Sequence, residues 1–595
     1  MCGIAAQFCY RGDTADRETL ADMQQCMLQR GPDGDGQWVS SDERVALAHQ
    51  RLSIIDLSER GAQPMQSRRA GTVVTFNGEI YNYRVLRREL EAKGYTFTSD
   101  SDTEVLLHLY DAHGPSFVGA LRGMYAFALY DPERRGMLLG RDPYGIKPLY
   151  VADTGRTVWI ASQVKALRPI AGVDTTADAA GRVGYFLYGH VPEPHTWYRG
   201  IRALPAGHTL WVSEEGPEEP QSFADVRSAF LNADNGVALS DDVSPNKRLR
   251  EALTDTVRHH LIADVDVGLF LSAGLDSATL AGLATEDTQQ LRTLTLGFKT
   301  FEGTPRDEVP LAEAIASHYG TDHTTVWVSE TDFQEEREDI LHHMDQPTID
   351  GVNSYFVSRA AARVGLKVAL SGVGGDELFG GYASFQRIPR LVQTLGRVPA
   401  GRTLGRGLRA VSAPLLRHFT SPKYAGLLEY GGDYGGAYIL SRSLMMPYEL
   451  PEVLEPDLVR EGWKQLQPRI QLNEAVQGIQ EPEIKVGLLQ SIHYMRNQLL
   501  RDTDWASMAH SLEVRTPLVD WTLLQNVAPL RARFPEIDKQ AMARTPRIPP
   551  PADVLQRRKT GFGIPVRHWL LQDLPTYNDR GLRGWAQFVA DQYES

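Results

Sequence analysis

A change of periodicity near residue 245 constrains this 595-residue chain more than any other feature. Up to about Val212 the apolar residues fall in short β-type runs: Val45–Ala48, Thr72–Phe76, Met124–Tyr130, Gly136–Gly140 and Thr157–Ala161. Turn signals such as Gly31-Pro32-Asp33-Gly34, Asp131-Pro132 and Asp142-Pro143 separate them. Two amphipathic helical stretches, Arg17–Arg30 and Tyr83–Lys93, interrupt the strands. Strand runs with occasional helices imply a layered, largely antiparallel α+β unit. After Pro245 the two periods alternate. Helix-like Arg248–Ala263 and Ala278–Thr285 flank the apolar run Val265–Leu271, and strand-like Leu291–Phe298 and Thr324–Val328 flank helix-like Val309–Tyr319. Ser354–Val364 and Lys367–Leu370 repeat the alternation, which implies an α/β unit with a parallel sheet and helical crossovers. Beyond Tyr382 the pattern is mainly helical. The expected division is 1–212, a linker or surface loop over 213–242 around the acidic Glu214–Pro220, and 243–595.

Composition removes several classes of function. Hydrophobic residues at 42% and charged residues at 23% describe an ordinary folded chain. Acidic residues outnumber basic ones, 75 to 62, so the net charge of −13 gives no reason to bind nucleic acid or an anionic membrane. No apolar run approaches the roughly 18 residues of a membrane helix. The start Met1-Cys2-Gly3-Ile4 lacks a secretory signal pattern, so a cytoplasmic location is expected. Three cysteines, Cys2, Cys9 and Cys26, cannot form a disulfide framework and fit a reducing compartment.

Cys2 is chemically distinct. Removal of Met1 would leave its thiol beside a free α-amine, whose ordinary pKa near 8 lets it act as a base near neutral pH. Cys2 is followed by Arg30-Gly31-Pro32-Asp33-Gly34, His49–Asp56, Phe76-Asn77-Gly78-Glu79-Ile80-Tyr81-Asn82 and Ser101-Asp102-Thr103-Glu104. In this ordered set the sequence resembles the class II glutamine amidotransferases, whose N-terminal-nucleophile glutaminase domain is an αββα sandwich headed by cysteine. The resemblance implies thiolate attack on the glutamine carboxamide at Cys2. The Asn77 side chain and Gly78 N–H would then serve as oxyanion donors. Arg51 would grip the α-carboxylate, and Asp102 and Glu79 are the candidates for the α-ammonium. Arg141–Tyr150 also resembles the family and reads as structural.

In the second half, Ser272-Ala273-Gly274-Leu275-Asp276-Ser277 lies between an apolar strand and a helix, where backbone amides suit a phosphate. It is similar to the pyrophosphate loop of ATP pyrophosphatases, with Ala273 in place of a glycine. With Leu370–Tyr382, Ser507–Asp520 and Arg557–Pro565, the chain resembles the glutamine-hydrolysing asparagine synthetase family over nearly its whole length. The resemblance implies that ATP adenylates a carboxylate. Leu271, Ser272, Gly274, Asp276, Ser277, Ser371, Gly372 and Lys559 would hold ATP and pyrophosphate. Asp276 and Asp376 would ligate Mg²⁺ through hard oxygens, and Lys559 would neutralise developing charge. It also implies an internal passage for ammonia and allows a homodimer.

One departure bears on the acceptor. The family commonly places an acidic residue where this chain has Val373, between Gly372 and Gly374. L-aspartate is the default acceptor, and a tailoring amidotransferase acting on another carboxylic acid is the alternative. Retention of Cys2 argues against relatives that close a ring with an internal amine. A glutaminase whose synthetase half is inactive, or a non-catalytic scaffold, is expected to lack part of these two residue sets. His259-His260 and His342-His343 are adjacent pairs, a spacing that reads as surface rather than zinc ligation. The basic stretch Arg402–Arg417 reads as a solvated helix face.

Overall fold

A computed structural model describes the chain apart from residues 1, 237–243, 289, 420–421, 558–564, 566–568, 570–576, 578–580 and 595. The first strand, β1 (Gly3–Cys9), is buried along its whole length. Its side chains alternate between two cores, as a period of two requires. Ile4, Ala6 and Phe8 enter a layer with Val45, Leu47 and Val73, whereas Ala5 joins Leu20 and Met23 of the helix Arg17–Cys26. A strand covered on both faces shows little polar alternation to read; its one polar side chain, Gln7, is buried and donates Nε2 to the Asp16 carbonyl at 2.8 Å.

β2 (Gly34–Val39), β3 (Val45–Arg51), β4 (Met65–Gln66) and β5 (Val73–Ile80) follow. Next come β6 (Gly123–Asp131), β7 (Gly136–Arg141), β8 (Tyr150–Asp153), β9 (Thr157–Ala161) and β10 (Arg202–Ala203). β11 (His208–Ser213), β12 (Gly216–Pro217) and β13 (Gln221–Ser222) complete this half. They form two antiparallel sheets, ordered β10-β8-β9-β1-β3-β2 and β12-β11-β7-β6-β5-β4, with β13 paired to β11. The helix Arg17–Cys26 covers the first sheet and Thr103–His113 the second, giving the expected αββα layering. The expected helix Arg17–Arg30 stops at Cys26. A 3-10 turn, Leu28–Arg30, follows it and swings the Arg30 side chain inward before Gly31-Pro32.

The stretch 213–242 carries the β12 and β13 edge of the second sheet. It also carries the helix Val226–Asp234, capped by Asp225, which packs on Trp521–Arg533.

The second half is built on a parallel sheet of β14 (Val267–Phe270), β15 (Arg292–Phe298), β16 (Asp322–Val328), β17 (Val368–Leu370) and β18 (Glu513–Arg515). Its order, β16-β15-β14-β17-β18, sends the chain to opposite sides of β14, so a crevice opens beyond the ends of β14 and β17. Helices fill most of the remainder. Between the helices Pro482–Leu489 and Arg501–Met508 lies a π-helical run, Gln490–Leu500, whose wider turn is common at functional positions. Among the described residues no helix is long and apolar enough to cross a membrane.

Candidate active sites

The first site lies where β1 and β5 begin and end. The backbone N–H of Cys2 donates to Asn77 Oδ1 at 2.9 Å. That bond fixes the Asn77 amide and leaves its Nδ2 buried with no partner among the described residues. An unsatisfied buried donor is costly unless a ligand completes it. The next residue, Gly78, passes so close to β6 that a Cβ would lie 2.1 Å from the Met124 carbonyl oxygen. The Cys2 thiol is buried and its pKa is raised, chiefly by desolvation.

Two carboxylates flank this point. Asp102 accepts the Ile80 N–H at 2.9 Å, and burial pushes it up to about 6. Glu79 is buried, raised well above its ordinary range, and lies 3.4 Å from Arg515 Nη2. Arg51 donates through Nη1 to the Ser58 carbonyl at 2.9 Å and through Nη2 to the Asp56 carbonyl. Its guanidinium is thus held by the loop 56–58 at the rim.

The second site occupies the crevice beyond β14 and β17. Ser272 and Ser277 tie its first loop: the Ser272 N–H donates to Ser277 Oγ at 3.1 Å, and the two hydroxyls lie 3.0 Å apart. The Ser371 N–H donates to the Arg515 carbonyl at 2.8 Å and anchors the second loop on β18. The loops interlock at Asp276, whose Oδ1 would be 2.2 Å from a Cβ at Gly375. A cavity of about 410 Å³ joins Leu271, Ser272, Gly274, Asp276 and Ser277 to Ser371, Gly372, Val373 and Asp376. Asp350, Tyr382, Tyr494 and Val514 also face it. The structure therefore gathers each described residue expected to hold ATP.

Lys539 was not singled out by sequence. Its Nζ lies 2.8 Å from Asp276 Oδ2 and also bonds Asp376 Oδ1, so one cation holds both carboxylates. Asp276 Oδ1 is buried and has no hydrogen-bond partner among the described residues. Two adjacent carboxylates form a hard-oxygen donor set that fits a divalent cation such as Mg²⁺. Lys559 lies outside the described residues. The expected surface placement of the histidine pairs fails at His260, which is buried on the helix Pro245–His260.

A single strand separates the sites. On β18, Glu513 and Arg515 face the first site: Arg515 Nε donates to Glu513 at 2.6 Å while Nη2 approaches Glu79. Between them Val514 lines the second cavity. A second bridge pairs Arg30, which donates to the Cys2 carbonyl at 3.0 Å, with Asp504 at 2.8 and 3.1 Å.

A glutaminase-like N-terminal half joined to a parallel-sheet nucleotide crevice is the class that this geometry defines. A glutamine amidotransferase domain model matches residues 1–223, and an asparagine synthase model matches 248–590. The chain is 32% identical to asparagine synthetase [glutamine-hydrolyzing] 1 of Bacillus subtilis, covering 96% of this chain and 88% of that one. It is 34% identical to asparagine synthetase B of Escherichia coli over 65% of this chain and 66% of that one. Amidase chry2 of Gibberella zeae is 30% identical over 65% of this chain and 60% of its own. The chain belongs to the glutamine-hydrolysing asparagine synthase family of carbon–nitrogen ligases.

Proposed function

We propose that the enzyme hydrolyses glutamine at Cys2 and passes ammonia to a carboxylate activated by ATP as an acyl-adenylate, with L-aspartate as the default acceptor. The observation that carries this reading is β18, which turns Glu513 and Arg515 to one site and Val514 to the other.

In the first half, the free α-amine of a processed Cys2 takes the thiol proton, because burial alone holds the thiol protonated. The thiolate attacks the glutamine carboxamide, and Asn77 Nδ2 and the Gly78 N–H receive the oxyanion. Its collapse breaks the C–N bond as the Cys2 ammonium returns its proton to the departing ammonia, and water then hydrolyses the thioester to glutamate and the free thiol. Asp102 and Glu79 answer the substrate ammonium, and Arg51 answers its carboxylate once it turns from the loop carbonyls.

In the second half, the Ser272–Ser277 loop and Ser371-Gly372 cradle the phosphates. Asp276 and Asp376 would hold Mg²⁺, which when bound neutralises phosphate charge. Lys539, beside both carboxylates, and Lys559 add positive charge for the departing pyrophosphate. Ammonia then attacks the acyl carbon; AMP leaves and the nitrogen gives up a proton. Passage past β18 keeps ammonia from protonation in bulk water. The assigned division, 1–212 for glutamine hydrolysis and 243–595 for synthesis, and a cytoplasmic setting belong to the same reading.

Val373 favours a second reading, in which the acceptor is a different carboxylic acid, since valine cannot accept a proton where the family commonly has a carboxylate. Pyrophosphate release with ATP, Mg²⁺ and glutamine, measured with and without L-aspartate, decides between them. Aspartate-dependent release with asparagine formed is expected. Glutamine hydrolysis without response to aspartate would transfer the assignment to another acceptor.

A further inference from the structure

Between Glu377 and Glu429 the sequence holds seven arginines and one lysine, and not one aspartate or glutamate. In a chain of net charge −13 this is a local reversal of sign. Neither reaction site uses these cations. The helix Gly401–Phe419, whose basic residues were expected on a solvated face, walls a cavity of about 940 Å³. That cavity shares no lining residue with the synthetase cavity. Arg402, Arg406 and Arg409 face it from this helix. Arg460, Lys464 and Arg469 face it from the helices Pro456–Leu466 and Pro468–Ala475.

Glu429 and Asp433 are the two carboxylates among its described lining residues, and both are already engaged. Glu429 accepts Arg409 Nε at 2.7 Å and lies 3.5 Å from Arg406 Nε. Asp433 accepts Arg469 Nε at 2.9 Å, Asn473 Nδ2 at 2.9 Å and, as a helix cap, the Gly436 N–H at 2.8 Å. Arg460 pairs with Asp457 of its own helix. Arg402 and Lys464 have neither a hydrogen bond nor an ion pair with any described residue. A concave site with cations in excess carries a positive potential, which an anion relieves.

Close backbone approaches fix both walls. A Cβ at Gly405 would lie 2.3 Å from the Glu429 backbone nitrogen, and one at Gly462 would lie 2.2 Å from the Ala179 carbonyl oxygen. A side chain at either position would push its helix away, so glycine lets each helix seat closely and hold its cations toward the cleft. The cleft also has an aromatic wall. Tyr448 carries the Arg409 guanidinium 4.4 Å from its ring centroid, whereas Trp463 stacks on no ring or cation among the described residues.

We propose that this cleft binds a nucleoside polyphosphate, with its phosphates among Arg402, Arg406 and Lys464 and its base against Trp463. Guanidinium forks match phosphate oxygens, and an indole face accepts any planar base. The volume is that of an ordinary small-ligand site. This site is separate from the crevice assigned to ATP activation and does not depend on the ligase reading.

Equilibrium dialysis of the full-length enzyme against ATP and against inorganic tripolyphosphate tests it. Arg402, Arg406 and Lys464 are exposed, so replacing all three by alanine should leave the urea midpoint unchanged. Each lost cation should weaken binding about 10-fold. The triple variant should therefore bind one equivalent of ATP per chain fewer than the native enzyme. Trp463→Ala should weaken ATP at this site about 10-fold and leave tripolyphosphate unaffected. Equal ATP stoichiometry in the native enzyme and the triple variant overturns the proposal. Tripolyphosphate held here as tightly as ATP overturns it too, because phosphate charge alone would then account for the binding. Failure of the synthetase crevice to bind ATP would remove the other equivalent and leave this difference intact. If the triple variant does not fold, Lys464→Glu, which reverses one exposed charge, should show the same loss, and unchanged ATP binding by it overturns the proposal.

Discussion

Arg515 Nη2 lies 3.4 Å from Glu79 Oε2, joining the edge strand of the synthetase sheet to the strand that carries the glutaminase asparagine. The same guanidinium holds Glu513 at 2.6 Å, so one fully buried cation serves two buried carboxylates. The two respond in opposite directions. Burial pushes Glu79 well up, whereas the arginine and nearby positive charges hold Glu513 down. Arg515→Met should therefore remove the cation bonded to Glu513 and beside Glu79 and cost about 3–5 kcal/mol. Adding Glu79→Gln should recover part of the loss. Urea denaturation of both variants checks this, and a double variant no more stable than the single one would contradict it.

Asn77 offers a cleaner test of chemistry. Its Oδ1 is committed to the Cys2 N–H and its Nδ2 has no partner among the described residues, so the amide donor is not spent on them. Asn77→Ala should lower kcat for glutamine hydrolysis by about 10²–10³-fold, the usual loss for one oxyanion donor. Synthesis driven by added ammonium chloride should persist. Parallel loss of both activities would show that Asn77 acts through the fold instead.

Lys539 tests the other site. Replacing it by Met removes the cation between Asp276 and Asp376 and, with it, positive charge beside the phosphates. Pyrophosphate release should fall about 10²-fold or more, while glutamine hydrolysis continues. Unchanged pyrophosphate release would exclude Lys539 from phosphate chemistry.

The sequence made some parts of this arrangement readable and concealed others, for physical reasons. Cys2, Arg51, Asn77 and Asp102 sit in short ordered motifs and were readable through their resemblance to a known family; taken singly, each reads as a surface or turn residue. The Ser272–Ser277 loop was visible through its resemblance to the pyrophosphate loop of ATP pyrophosphatases; its place between an apolar strand and a helix alone is a weak signal. Lys539 was hidden because its partners are 263 and 163 residues away. No spacing rule links them; only the demand of two carboxylates for a cation does. β18 was hidden for another reason. Its Glu-Val-Arg lies in the family-like run Ser507–Asp520, but nothing local shows that all three residues are buried and that Arg515 reaches across the half-to-half boundary to Glu79. The acidic stretch after Val212 resembled a linker because β12 and β13 lie on a sheet edge, where polar residues and prolines are tolerated.

His260 gives a pH prediction whose sign can be worked through. It is buried on the helix Pro245–His260, with Nδ1 2.8 Å from the Thr256 carbonyl and its ring 4.1 Å from that of Tyr81 across the boundary. Burial lowers its pKa to about 4, only partly offset by the nearby Asp520 charge. The folded state therefore keeps this imidazole neutral between pH 4 and 6.5, while the unfolded chain binds the proton. More protons on the unfolded state mean that stability rises with pH across that window and is lost as pH falls from 6.5 toward 4. The slope for one such group is about 1.4 kcal/mol per pH unit. His260→Gln removes this contribution, so its acid limb should be flatter than that of the native enzyme by about that slope. Urea midpoints at several pH values between 4 and 7 measure the difference. Parallel limbs for the two proteins would mean that His260 is already protonated in the folded state, paired with Asp520 rather than held neutral by its surroundings.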